Sequence, residues 1–101
     1  MFFSGIADEA APELSRQLDA HKELGWKHIE LRMIESTNLT DLSDSDFDRV
    51  ADQLSEAGVS VSCFAAQLAN WARPINTDFN IDLEELQRAI PRMQRLKTPF
   101  I

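Results

Sequence analysis

The fold is decided by the stretch Ala20-His21-Lys22-Glu23-Leu24-Gly25-Trp26-Lys27-His28-Ile29-Glu30-Leu31-Arg32. Its first half closes a helical pattern at Gly25, and glycine readily adopts the left-handed conformation that ends a helix. Its second half alternates apolar Ile29 and Leu31 with charged Glu30 and Arg32, which predicts a strand. This joint between a helix and a strand predicts one unit of a parallel α/β fold.

The same joint recurs twice along the chain. Gln53-Leu54-Ser55-Glu56-Ala57-Gly58 closes a second helical pattern and leads into Val59-Ser60-Val61-Ser62-Cys63-Phe64. Arg92-Met93-Gln94-Arg95-Leu96-Lys97 closes a third, followed by Thr98-Pro99-Phe100-Ile101, the expected start of another strand. The repetition predicts the opening segment of a larger parallel α/β architecture.

The predicted elements alternate between strand and helix. We expect strands over residues 2–7, 27–32 and 59–65, a fourth strand starting at 98–101, and helices over 12–24, 44–57 and 83–96. Such alternation implies parallel strands with right-handed crossovers, as in a (β/α)8 barrel or a doubly wound sheet. No Gly-x-Gly-x-x-Gly or Walker-type loop follows any strand, so nucleotide and dinucleotide binding lose their main support.

The helix boundaries have recognisable signals. Pro12 suits the first turn of the first helix, and Leu14, Leu18, His21 and Leu24 form its apolar side. Ser43 and Asp46 predict a capping box for the second, whose buried stripe is Phe47, Val50, Ala51 and Leu54. Asp82 is the expected cap of the third helix, whose stripe comprises Leu83, Leu86, Ile90, Met93 and Leu96. Pro91 predicts a kink or a break in that helix.

Composition limits the possible partners and setting. The 101 residues are 44% hydrophobic, enough for a modest globular core, and carry 17 acidic against 10 basic side chains, a net charge of −7. That balance argues against nucleic acid, whose phosphates require clustered basic residues. The single cysteine, Cys63, permits no internal disulfide and predicts a reduced, cytoplasmic setting. No signal peptide or membrane span is expected.

Two patches of charge lie where strands are predicted to end, which is where parallel α/β folds collect their active groups. Asp8 and Glu9 follow the first strand and either belong to a site or complement a helix dipole. Glu30 and Arg32 share one face of the second strand. They either contact a ligand or form an ion pair with each other or with a neighbouring strand.

The third patch is the loop from Ala66 to Ile75, after the third strand. Gln67 and Asn70 can hydrogen-bond hydroxyl groups, Trp71 can cover an apolar sugar face, and Arg73 can hold a phosphate or carboxylate. The alternative is a loop whose Trp71 only packs on the rim of the fold. No His-x-x-x-His or Glu-x-x-His spacing predicts a metal site, and no nucleophile–base pair can be proposed.

Several segments together resemble the amino-terminal part of the sugar phosphate isomerase/epimerase family, the xylose-isomerase-like barrels. They are Gly5-Ile6-Ala7-Asp8-Glu9-Ala10, Lys22 to Arg32, Asp41-Leu42-Ser43-Asp44, Gly58 to Cys63 and Leu96-Lys97-Thr98-Pro99-Phe100-Ile101. Lys97 stands where that family usually has glycine. The resemblance covers nearly the whole chain but only about the first three βα units of eight.

The resemblance implies a partial (β/α)8 TIM barrel, with residues 1–101 as a single segment. It implies a metal-dependent sugar or sugar phosphate isomerase or epimerase, in which a divalent metal (Mn, Mg, Co or Zn) and paired glutamates move a proton next to a carbonyl. Those groups belong to later strands, so no catalytic or metal residue carries over, and this segment is expected to bind no metal. The implied substrate wall includes Glu30 and the loop from Gln67 to Arg73.

The chain alone is therefore expected to be inactive, with strand edges that favour self-association or docking on the remaining barrel half. It is either a truncated or split isomerase, or a non-enzymatic oligomeric binding or interaction module derived from such a barrel. The apurinic-site endonuclease branch is opposed by the negative charge and by the missing zinc-ligand histidines.

Overall fold

Parallel pairing between two distant segments organises the chain. The computed structural model describes all 101 residues, and in it strand β1 (His28–Leu31) pairs in parallel with strand β4 (Ser60–Phe64). Between them lie a short antiparallel hairpin, β2 (Met33–Ile34) with β3 (Thr37–Asn38), and helix α2 (Asp44–Ala57). Helix α1 (Leu14–Glu23) precedes β1, and helix α3 (Asn80–Leu96) follows β4. The protein is thus an α/β domain with a parallel two-stranded sheet and three α-helices.

The two ends of the chain flank this sheet without forming regular strands. Residues 2–7 contribute one parallel bridge, between Ile6 and Glu30, supported by the bond from Glu30 N to Gly5 O at 2.9 Å. A 3₁₀ helix, Ala7–Glu9, starts directly after that bridge. At the other end, Phe64 N donates to Phe100 O at 2.9 Å. The predicted strands at 2–7 and 98–101 are thus reduced to these few contacts at the edges of the sheet.

Helix α2 occupies the predicted residues. Ser43 Oγ accepts a hydrogen bond from Asp46 N at 3.1 Å, and Gly58 ends the helix in the left-handed conformation. The expected stripe of Phe47, Val50, Ala51 and Leu54 is buried. The signals for both helix ends and for the buried face all lie within this one segment. The position of α2 can therefore be predicted from local sequence alone.

Helices α1 and α3 differ from expectation at their starts. Helix α1 begins at Leu14 rather than at Pro12, because the Ala11 and Pro12 carbonyls accept bonds from the Gln17 side chain. Helix α3 begins at Asn80, whose N–H donates to Asp78 Oδ1 at 2.9 Å. Asp82 lies inside the first turn and bonds to a distant loop instead. Pro91 does not break the helix, which continues to Leu96.

The face that α3 buries is also different. Glu85 and Ala89 are buried, whereas the predicted core residues Leu83 and Ile90 are exposed. Met93 and Leu96 pack partly against the core, as the stripe predicted. The buried face thus differs from the predicted one. Glu85 accepts a hydrogen bond from Gln67 N of the preceding loop, which holds Glu85 on the buried side of the helix.

One apolar cluster fills the space between the sheet and the helices. Ile29 and Leu31 of β1 and Phe64 of β4 are fully buried. The other members come from the hairpin region, all three helices and the first turn: Ala7, Leu14, Ile34, Leu39, Phe47, Val50, Leu54, Val61 and Ala89. Because strand side chains alternate, Glu30 points to the opposite face of the sheet, which no helix covers. No helix of the fold is long and apolar enough to cross a bilayer.

Candidate functional site

The acidic pair after the first segment meets the end of β1. Arg32 Nε donates to Asp8 Oδ2 at 3.0 Å, and Arg32 Nη2 donates to Glu9 Oε1 at 2.8 Å. The bond to Asp8, and then that to Glu9, raises the pKa of the Arg32 guanidinium. Glu30 makes no ion pair in the structure, so the alternative of an ion pair between Glu30 and Arg32 is wrong. Arg32 pairs instead with Asp8 and Glu9 of the neighbouring segment, as the other alternative expected.

Glu30 lies in a different environment from Arg32. It lines a recess of about 550 Å³ on the uncovered sheet face, together with His28, Ser62 and Cys63. Burial, and secondarily the nearby Glu30 carboxylate, raises the pKa of the Cys63 thiol. Across this face Ser4 Oγ and Ser62 Oγ share a hydrogen bond of 2.6 Å. The face is therefore polar and internally bonded, and Glu30 is separate from the cavity at the strand ends.

The loop after β4 is held down by the first turns of α3. Gln67 N donates to Glu85 Oε1 at 2.6 Å, and Ala69 N donates to Asp82 Oδ1 at 3.2 Å. Arg73 forms ion pairs with both of these carboxylates. Arg73 thus links its loop to α3 through two carboxylates, and carboxylate is one of the two kinds of anion that the sequence predicted it can hold.

A cavity of about 650 Å³ opens at the carboxyl ends of the strands. It brings together four of the six predicted substrate-binding residues, Arg32, Gln67, Asn70 and Trp71. Its remaining walls are Asp8, Met33, Asn38, Ala66, Leu68 and Ala69. The Trp71 residue is 96% exposed, so its indole packs on nothing in this chain. Glu30 and Arg73 lie outside the cavity.

Asp8 is a largely buried acidic group of this cavity. Its side chain is 10% exposed, and although Oδ2 is bonded to Arg32, Oδ1 is buried without a hydrogen-bond partner. A buried carboxylate oxygen without a donor is costly, and such groups concentrate at functional sites. The sequence left open whether Asp8 belongs to a site or complements a helix dipole. Only the structure shows that it shares a cavity with the loop after β4.

Asn38 is a cavity residue that sequence reasoning missed. Its Nδ2 donates to Ala65 O at 3.2 Å and its Oδ1 accepts from Thr40 N at 3.0 Å, so the hairpin is tied to the end of β4. The hairpin turns through Glu35 and Ser36, both with positive φ. Neither residue is the glycine or asparagine that signals such a turn, so the segment was expected to be an irregular polar connection.

No cluster of three or more His, Cys, Asp or Glu side chains is arranged to hold a metal ion. His21 is buried, with Nδ1 3.0 Å from Gln17 O and its ring edge against Trp26. His28 instead stacks on Phe2 at the uncovered sheet face. The family resemblance places the ligands of its divalent metal on later strands, outside these residues.

Comparison with known proteins adds no assignment to this geometry. No family model matches the chain, and neither a curated protein nor a solved structure matches it.

Proposed function

We propose that the chain is the amino-terminal segment of a (β/α)8 barrel, and that it supplies part of the sugar-binding wall of a metal-dependent sugar or sugar phosphate isomerase or epimerase. The order of segments across the sheet supports a barrel origin. Residues 2–7 flank β1, β1 pairs with β4, and β4 bonds to residues 98–101, so neighbours in sequence are neighbours in space. The polar, uncovered face of the parallel sheet fits the interior of such a barrel, since parallel sheets are normally covered on both faces.

The cavity at the strand ends is the observation that carries the sugar-binding proposal. Sugars present hydroxyl groups along their edges and apolar patches on their ring faces. Gln67 and Asn70 supply polar partners for the hydroxyls, and the uncovered indole of Trp71 supplies a flat apolar surface. This cavity combines an exposed tryptophan with two side-chain amides at the strand ends.

The chain's own part in the reaction is binding and orientation. Polar groups on its loop hold hydroxyls, and Trp71 excludes water from one ring face. Proton transfer belongs to residues outside this segment, so the 101 residues alone are expected to show no isomerase or epimerase turnover.

Amide-resolved NMR tests the binding role directly. A ¹⁵N-labelled chain is titrated with a panel of ketoses and ketose phosphates up to millimolar concentrations. The proposal predicts shift changes concentrated at Arg32 and residues 66–71, including the Trp71 indole N–H. A Trp71→Ala variant should lose those changes, whereas Ile75→Ala, which truncates another exposed apolar side chain of the same loop, should keep them. Absence of saturable shifts, or shifts spread over the helices, contradicts the proposal.

One observation favours the alternative of a non-enzymatic, oligomeric interaction module. The uncovered sheet face exposes Phe2, Ile6 and Phe100, and the sheet has open edges on both sides. Exposed strand edges and apolar side chains favour pairing between copies. Light scattering after size exclusion over a hundredfold concentration range tests this. A discrete, concentration-independent oligomer supports the module, and a monomer throughout contradicts it.

A further inference from the structure

We infer that the cavity at the strand ends takes an uncharged polyhydroxylated ligand and discriminates against its phosphate ester. This inference rests on the proposed sugar-binding function and names the substrate class within it. It follows from the charges and the hydrogen-bonding groups that line the cavity.

The only cation in the cavity wall is already neutralised. Arg32 is bonded to Asp8 at 3.0 Å and to Glu9 at 2.8 Å. One guanidinium between two carboxylates leaves a local charge of about −1. A phosphate monoester carries a charge of about −1.5 to −2 near neutral pH. It would be repelled unless Arg32 released one of its carboxylates.

The basic side chains nearest to this cavity in the fold and those of the other large cavity are not placed to bind a phosphate in it. Arg73, the neighbouring guanidinium of the loop, is held by Asp82 and Glu85. Lys22 and Lys27 line a separate cavity of about 630 Å³ at the opposite, amino-terminal end of the strands. The whole chain carries a net charge of −7, which adds a repulsive background.

The uncharged polar groups of the cavity wall suit hydroxyl groups. They include the side-chain amides of Gln67 and Asn70, each with a donor and an acceptor. A sugar hydroxyl both donates and accepts hydrogen bonds, so it can pair with either end of an amide. The oxygens of a phosphate dianion only accept, and they add a charge beside the carboxylate. The hydrogen-bonding groups of the cavity wall and its negative charge therefore both favour the unphosphorylated sugar over its phosphate ester.

Trp71 fluorescence provides the measurement. The full chain is titrated with a ketohexose and, separately, with its 6-phosphate at equal ionic strength. The Trp71→Phe variant retains only Trp26, so its spectrum shows which part of the fluorescence change comes from Trp71. We expect the unphosphorylated sugar to bind at least about tenfold more tightly than the ester. The local charge is tested by Glu9→Gln, because Glu9 is 71% exposed and lies outside the cavity wall.

Glu9→Gln should raise the affinity for the phosphate ester by about threefold or more and leave the affinity for the free sugar unchanged. Glu23→Gln, at the exposed end of α1, removes the same charge far from the cavity and should change neither affinity. Equal or tighter binding of the ester by the unaltered chain overturns the inference while the sugar-binding function stands. If neither ligand perturbs Trp71 or the loop amides, the proposed function fails and the inference fails with it.

Discussion

Arg92 Nη1 donates a hydrogen bond to the carbonyl oxygen of Leu39 at 2.7 Å, which joins the middle of α3 to the segment after the hairpin. The same guanidinium reaches Thr40 O at 3.1 Å and Leu42 O at 2.6 Å and lies over the Phe47 ring. Three carbonyls that lack secondary-structure partners thus depend on one side chain. Arg92 therefore links α3 to the segment after the hairpin through several hydrogen bonds.

Replacing Arg92 by methionine should lower the free energy of unfolding by about 2–3 kcal/mol. The Arg92 side chain is only 11% exposed, so the carbonyl groups that it binds would be left without hydrogen-bond donors. Chemical denaturation at pH 7 measures the change. Arg88→Met, one turn earlier on α3, is the matched control. Arg88 is 51% exposed and makes one ion pair, to Asp41, so its loss should cost less than about 1 kcal/mol. Equal effects of the two substitutions would contradict the structural role of Arg92.

Gln17 is fully buried in α1, and its Nε2 donates to the carbonyls of Ala11, Pro12 and Met33. Gln17→Glu should destabilise the fold by about 3 kcal/mol or more at pH 7, because it sets a carboxylate against carbonyl oxygens. Gln17→Met keeps the volume without the charge and should cost about 2 kcal/mol. Gln94→Glu, at an exposed position of α3, should leave the denaturation midpoint nearly unchanged. A midpoint for Gln17→Glu within error of the unaltered chain would show that this bonding is absent in solution.

The sequence was a good guide wherever structure depends on neighbouring residues. Helix α2 has its cap at Ser43, its apolar stripe and its terminal Gly58 within one short segment, and it lies where predicted. It was a poor guide to α3, because the contact face of that helix is set by Glu85 bonding to Gln67, a residue 18 positions away. Gln17 was missed for a similar reason, since its acceptors lie outside its helix.

Acid should weaken the start of α2 through Asp46. The hydrogen bond from Ser43, and then that from Arg49, lowers the pKa of the Asp46 carboxyl in the folded chain. A lowered folded pKa stabilises the fold above the unfolded value of about 3.9, and this contribution disappears as pH falls through the folded pKa. Asp46→Asn should therefore show a smaller loss of stability between about pH 4 and 2 than the unaltered chain.

Asp48→Asn is the control for that titration, because Asp48 lies on the same helix and forms no ion pair. It should follow the pH dependence of the unaltered chain. Denaturation midpoints across the pH range decide the point. If Asp46→Asn and Asp48→Asn give the same curve, the carboxyl of Asp46 is not held by Ser43 and Arg49.

Cys63 should react slowly with thiol reagents in the folded chain. Burial and the Glu30 carboxylate raise its pKa, so less thiolate is present at pH 8 than for an ordinary cysteine. Glu30→Gln should increase the rate of alkylation by up to a few-fold, since it removes the smaller of the two causes. The chain unfolded in urea gives the unperturbed reference rate. A folded rate equal to that reference would contradict the raised pKa.

The candidate site was predictable as a region and not as a set of contacts. Alternation along β1 and the polar loop after β4 indicated where polar groups collect, and the cavity contains Arg32, Gln67, Asn70 and Trp71. Partner choice could not be predicted, because it depends on how distant segments meet. Arg32 bonds to Asp8 rather than to Glu30, and Arg73 faces the acidic first turns of α3.

The central claim is that the cavity at the carboxyl ends of the strands binds a sugar, and a crystal structure of the chain grown with a ketohexose at high concentration tests it most directly. The chain offers an internal comparison, because a cavity of similar volume lies at the amino-terminal ends of the strands. The account predicts sugar density between Trp71 and Asp8, with hydroxyl groups bonded to the amides of Gln67 and Asn70. Density in the amino-terminal cavity alone, or a carboxyl-end cavity that remains free of sugar, would contradict it.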